Sequence, residues 1–86
     1  MNEDLDKRFQ KAVDIAAGMS QLTLPQDVQL RLYAFYKQAT FGTPHANNSS
    51  FDLRNAFKTN AWMQISHISS DEAKERYIEI IEDLQK

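Results

Sequence analysis

Three side chains on one short stretch can do chemistry together: Tyr33, Tyr36 and Lys37, spaced i, i+3 and i+4. On a helix that spacing brings them to one face. Two phenols and one ammonium suit a phosphorylated aromatic ligand. A phenol ring stacks on a base, its hydroxyl bonds a phosphate oxygen, and the lysine adds compact positive charge. The same residues also fit a plain tyrosine-bearing face with a solvated lysine, and spacing does not separate the two. Other chemistries lack their parts. His45 and His67 form no spaced cluster with carboxylates, so no metal site is expected. Without cysteine there is no thiol nucleophile, disulfide or cysteine zinc site. No nucleophile elbow enforces a hydrolytic triad, and Gly18 and Gly42 make no phosphate-cradling glycine loop. Catalysis is not expected and no catalytic residue is assigned.

A helix must carry the Tyr/Lys set, and the punctuation of the chain says where it lies. The breakers come in two pairs, Gly18 with Pro25 and Gly42 with Pro44. Before the first pair, Leu5, Phe9, Ala12, Val13 and Ala16 recur at helical spacing, with Glu3 and Asp4 where the helix dipole favours negative charge. This predicts a first helix over residues 3–17 with Gly18 at its C-terminal cap. Leu24-Pro25 can open the second, which runs to about Thr40 before Gly42. Residues 43–50 are polar and without period, a loop. Leu53, Ala56, Phe57, Ala61 and Ile65 mark a third helix with Trp62 beside its stripe. Ser69-Ser70-Asp71-Glu72 then fits a capping box, opening a fourth helix with the stripe Ala73, Tyr77, Ile80, Ile81 and Leu84. No segment alternates like a half-buried strand, so the class is all-α.

The chain has 86 residues, 42% of them apolar and 26% charged, which describes one small domain over residues 1–86. Its net charge of −2 offers no general attraction to nucleic acid or to an anionic membrane. No apolar run approaches the roughly 20 residues needed to span a bilayer, so no stable membrane insertion is expected. The start, Met1-Asn2-Glu3-Asp4, has no basic n-region of a signal peptide; a cytoplasmic monomer is expected. A domain this small has little apolar surface to spare. Yet the second helix carries two stripes, Val28, Leu32, Phe35 and Ala39, and, about 100° away, Leu30, Tyr33 and Lys37. The second stripe either packs on another helix or faces something outside the chain. A DNA-reading helix would need a basic face, and only Arg31 and Lys37 are offered. A helical protein–protein adaptor using Tyr33 and Tyr36 is the alternative use of this patch.

The run Tyr33-Ala34-Phe35-Tyr36-Lys37-Gln38-Ala39-Thr40-Phe41-Gly42 resembles the second-helix signature of the acyl-CoA-binding protein family, small four-helix carriers of fatty acyl-CoA thioesters. The likeness extends from about Phe9 to Leu84, through Lys58, Trp62 and Tyr77. It implies an up-down-down-up four-helix bundle that binds medium- to long-chain acyl-CoA and performs no reaction on it, with no cofactor. Acyl-CoA-using enzymes would be the further partners. Residue by residue, it implies that Tyr33, Tyr36 and Lys37 meet the adenine and phosphoribose end of coenzyme A. Lys58 would approach the same phosphates, Tyr77 would close the site, and Val13 and Leu30 would lie near the acyl chain. Two positions depart from the family pattern. A basic residue common on the first helix falls on Ala17, which leaves Arg31 or Lys11 to compensate. The family's Lys-Trp-Asp-Ala-Trp string reads Lys58-Thr59-Asn60-Ala61-Trp62, so the first of its tryptophans is Thr59. Phe57 is expected either to restore the packing of that missing ring against Phe9 and Tyr77 or to shorten the acyl tunnel.

Overall fold

Acidic residues Glu3, Asp4 and Asp6 in one turn, followed by an apolar stripe, start a helix, and the first element begins there. In the computed structural model, which describes residues 3–20, 23–41 and 53–86, the elements are α1 Glu3–Ala17, α2 Gln26–Phe41, α3 Leu53–Gln64 and α4 Ser70–Leu84. No strand occurs among the described residues. The expected loop over 43–50, with Gly42, Pro44 and His45, lies outside them.

The helix ends follow from their residues, with two differences from expectation. Gly18 follows α1, but its backbone stays out of the left-handed region. The helix instead tightens into i→i+3 bonds, Gly18 N–H to the Ile15 carbonyl and Met19 N–H to that of Ala16, each 3.1 Å. Pro25 precedes α2, and its carbonyl accepts the Gln29 N–H at 3.1 Å. The Gln29 side chain folds back to the Leu24 carbonyl at 2.8 Å, closing the entry. At α4, Ser69 caps as expected, its hydroxyl accepting the Glu72 N–H at 3.1 Å. The return arm of the capping box does not form, because the Glu72 carboxylate turns forward to Arg76, 3.8 Å away.

The principal helix contacts are α2 with α4, α2 with α3, and α1 with α4. The helices therefore pack in the order α3, α2, α4, α1, and the domain is a slab of 36 × 34 × 17 Å. Its core joins Phe9, Ala12 and Ala16 of α1, Leu32 and Ala39 of α2, and Ala73, Tyr77, Ile78 and Ile81 of α4. The alanines let backbones approach closely. Ile78 and Ile81, 3% and 1% exposed, each contribute roughly 1.5 to 3 kcal/mol by leaving water. Ile78 lies off the apolar stripe read from the sequence, because α4 packs on both α1 and α2 and so buries a wider arc.

One polar side chain is buried among them. Gln38 is 3% exposed, and its amide is in full use. Its Nε2 donates to the carbonyls of Ile68 at 2.8 Å and Ser66 at 3.2 Å, and its Oε1 accepts the Trp62 indole N–H at 3.0 Å. One glutamine thus ties α2 to α3 and to the link before α4. Packing in series has a second result. Helices two places apart in the order leave gaps, one between α1 and α2 over α4, the other between α3 and α4 over α2.

Candidate functional site

The gap between α1 and α2 holds a cavity of about 340 Å³. Val13, Ala16 and Ala17 line it from α1, Gln29, Leu32, Tyr33 and Tyr36 from α2, Lys58 from α3 and Tyr77 from α4. Five of the residues singled out by sequence therefore share one space: Val13, Tyr33, Tyr36, Lys58 and Tyr77. Lys37 stands beside it, with its Nζ over the Tyr33 ring at 5.7 Å and over the Phe41 ring at 4.4 Å. Leu30 is not in this cavity. It lines the larger cleft across α2.

Charge is concentrated on one ring. The Lys58 Nζ lies 5.3 Å from the Tyr33 ring centre, so ammonium groups from two helices face the same phenol. Among the described residues neither lysine pairs with a carboxylate. Each cation–π contact contributes about 0.5 to 1 kcal/mol at such sites, too little to neutralise the charge. A chain of net charge −2 thus presents a local positive edge that a phosphate can meet.

Aromatic rings build the floor. Phe9 meets Tyr77 edge-on at 5.2 Å and stacks on Tyr36 at 6.2 Å, and Tyr36 and Tyr77 lie 6.3 Å apart. Tyr36 is 37% exposed, so part of its ring is open to a ligand. Tyr77 is buried, and its hydroxyl is held above its usual pKa, first by desolvation and then by the neighbouring Tyr36. It stays protonated at neutral pH and able to donate.

The departures from the family pattern resolve in particular ways. Tyr36, not Phe57, completes the ring cluster with Phe9 and Tyr77. Phe57 is 53% exposed on the other cleft. It precedes Lys58 by one residue, which turns it about 100° off the face that reaches the cavity. Ala17 lines the cavity wall without charge, and neither Arg31 nor Lys11 compensates there: Arg31 lines the cleft across α2, and Lys11 a groove between α1 and α4. Gln29 and Ala16 also line the cavity and escaped the sequence reading, since neither type signals a ligand. Among the described residues no three His, Cys, Asp or Glu side chains group as metal ligands, and no helix is long and apolar enough to cross a membrane.

Comparison with known proteins places this geometry. A sequence-family profile described as "Acyl CoA binding protein" matches residues 6–81. The chain is 33% identical over 84 residues to acyl-CoA-binding domain-containing protein 4 of Oryza sativa subsp. japonica, covering 94% of this chain and 25% of that protein. It is 30% identical over 84 residues to acyl-CoA-binding protein homolog 3 of Caenorhabditis elegans, covering 93% and 72%. The chain thus spans about a quarter of the length of the rice relative and most of the nematode one. The crystal structure of Oryza sativa acyl-CoA-binding protein 2 superposes with a TM-score of 0.87 at 29% identity, covering 95% of this chain and 89% of that one. The all-α, up-down-down-up bundle is therefore the fold.

Proposed function

The chain belongs to the acyl-CoA-binding protein family, and on that premise we propose that it binds medium- to long-chain fatty acyl-CoA thioesters as a cytoplasmic, monomeric carrier and pool former. The observation that carries this reading is the pair of ammonium groups, Lys37 and Lys58, over the Tyr33 ring beside an aromatic-floored cavity. In this reading the two lysines hold the coenzyme A phosphates, Tyr33 and the open part of Tyr36 take the adenine, and the Tyr77 hydroxyl donates from the floor. The acyl chain starts along Val13 on the α1 wall. Leu30 lies across α2, so a chain touching both residues has to cross the α2–α3 seam between Tyr33 with Lys58 and Leu30 with Phe57. The protein acts by sequestration and hands the thioester unchanged to acyl-CoA-using enzymes. A helical adaptor using Tyr33 and Tyr36 is the alternative; the two ammonium groups over the half-buried Tyr33 ring and the cavity beside it support an anionic small molecule over a partner helix.

The test is calorimetry with free coenzyme A and with palmitoyl-CoA. A hydrogen bond to a charged group contributes on the order of 1.5 to 3 kcal/mol, so Lys37→Ala should weaken both ligands roughly tenfold to a hundredfold. Buried methylenes add about 0.8 kcal/mol each, so palmitoyl-CoA should bind far more tightly than free coenzyme A. Unchanged binding of both ligands by Lys37→Ala would overturn the assignment of the phosphate site.

A further inference from the structure

Lys37 is the cation on which the phosphate site leans most, and among the described residues no carboxylate fixes it. A loose four-carbon stem has to be ordered when a ligand arrives, which costs affinity. What meets the Lys37 ammonium is a pair of aromatic rings. Its Nζ lies 4.4 Å from the centre of Phe41 and 5.7 Å from that of Tyr33. Residues 33, 37 and 41 stand four apart on α2, so aromatic, cation and aromatic form one line on one face. Long side chains on a helix lean towards its N-terminus, which brings the Phe41 ring back over the turn that carries Lys37.

Phe41 does nothing for the core. It is 65% exposed, more than any other large apolar side chain among the described residues, and it belongs neither to the buried cluster nor to the cavity lining. Its ring is in the right place for a different task. Lys58 reaches the Tyr33 ring from α3 at 5.3 Å, so two like charges are drawn to one phenol and repel each other there. A second ring gives Lys37 a seat of its own. An ammonium on a ring face keeps N–H donors on its outer side, where a phosphate at the cavity edge can accept them. The hold therefore does not have to break when ligand enters, and it favours binding. We propose that Phe41 is a positioning residue, whose ring holds the Lys37 ammonium at the edge of the Tyr/Lys cavity so that the stem is already ordered when a phosphate arrives. Phe41 acts through Lys37 and not on the ligand. The effect on affinity rests on the carrier reading; the hold on Lys37 does not.

The experiment has two arms, each with Phe41→Leu and the ring-keeping control Phe41→Tyr, at an exposed position in the last turn of α2 that the core does not use. In the first, NMR of the ligand-free protein follows the ε-methylene protons of Lys37, which the ring current of an aromatic face shifts upfield. They should move towards the ordinary lysine position in Phe41→Leu and stay in place in Phe41→Tyr. In the second, calorimetry with free coenzyme A should show Phe41→Leu weakened roughly twofold to tenfold, the cost of ordering one long side chain, with affinity restored in Phe41→Tyr. In a Lys37→Ala background Phe41→Leu should have no further effect, because a residue that acts through another loses its influence with it. Coenzyme A binding by Phe41→Leu that equals or exceeds that of the wild type would overturn the proposal. So would an equal loss in both backgrounds, which would put Phe41 on the ligand itself, or Lys37 resonances that ignore the loss of the ring. A wild-type protein that does not bind coenzyme A, with the Lys37 shift present and dependent on Phe41, counts against the carrier reading and leaves the hold on Lys37 standing.

Discussion

Gln38 offers the most direct test of what holds α3 in place. Its amide makes three hydrogen bonds while 3% exposed, joining the α2 interior to Trp62 and to the carbonyls of Ser66 and Ile68. Gln38→Leu keeps most of the volume and removes all three bonds. Losing a hydrogen bond to a buried polar group costs about 1 to 3 kcal/mol, and the two carbonyls lose their donor as well, so a loss of about 3 kcal/mol is expected. That is a large share of the 5 to 15 kcal/mol that stabilises a typical domain. Gln38→Glu separates the two ends of the amide. The introduced carboxylate still accepts from the indole N–H but has nothing to donate to two carbonyl oxygens, and burial among them raises its folded pKa above the unfolded value of about 4.3. A group with a raised folded pKa contributes its stability below the unfolded value and loses it as pH rises through the folded one. Gln38→Glu should therefore lie nearest the wild type at pH 4 and fall further behind it towards pH 7. Urea unfolding followed by circular dichroism, with the single tryptophan as a second probe of the α2–α3 contact, measures both variants. A Gln38→Leu midpoint equal to the wild type, or a Gln38→Glu deficit that does not vary with pH, would refute the reasoning.

Two further predictions concern stability. The Tyr77 hydroxyl is held above its usual pKa of 10.0, chiefly by burial, so the unfolded chain loses this proton before the folded one. The stability it contributes is full below about pH 10 and falls as pH rises further. Tyr77→Phe removes that component, and its stability should decline less steeply above pH 10 in urea titrations; equal slopes for the two proteins would contradict the burial argument. Gly18→Ala should stabilise the fold by about 0.4 to 1 kcal/mol through the unfolded state, since the backbone there is not left-handed and an added Cβ meets the Ile15 carbonyl oxygen at 3.6 Å, an ordinary contact. Thermal unfolding checks this, and a lowered melting temperature counts against it.

What was legible in the sequence was whatever local chemistry decides. The acidic residues Glu3 and Asp4 and the serine at Ser69 mark helix starts wherever they sit, and α1 and α4 begin where they should. The Tyr33, Tyr36 and Lys37 spacing needed only a helix to become a face. What was not legible depends on which helices touch. Ile78 looks like the outer side of α4 until α1 packs on it. Gln38 has a polar side chain and gives no apolar signal, yet it is deeply buried because three carbonyl or indole partners converge on it. Leu30 and Val13 read alike as apolar lining, but the path of α2 between the two gaps puts them in different spaces. Phe57 and Lys58 are neighbours in sequence and part for the same reason.

The serial packing order has a consequence for motion. α3 stands at one end of the series and is held chiefly through α2, with the Gln38–Trp62 bond as part of that attachment. It can lift away while α1, α4 and α2 keep the core described above, because among the described residues none of the buried apolar side chains belongs to α3. Such a unit opens at a lower free energy than the domain unfolds, and its amides exchange with solvent first. Lys58 rides on it. A ligand gripped at once by Lys58 and by the residues of the other three helices acts as a tie between the free end of the series and the rest, converting a hinged element into part of one cooperative body.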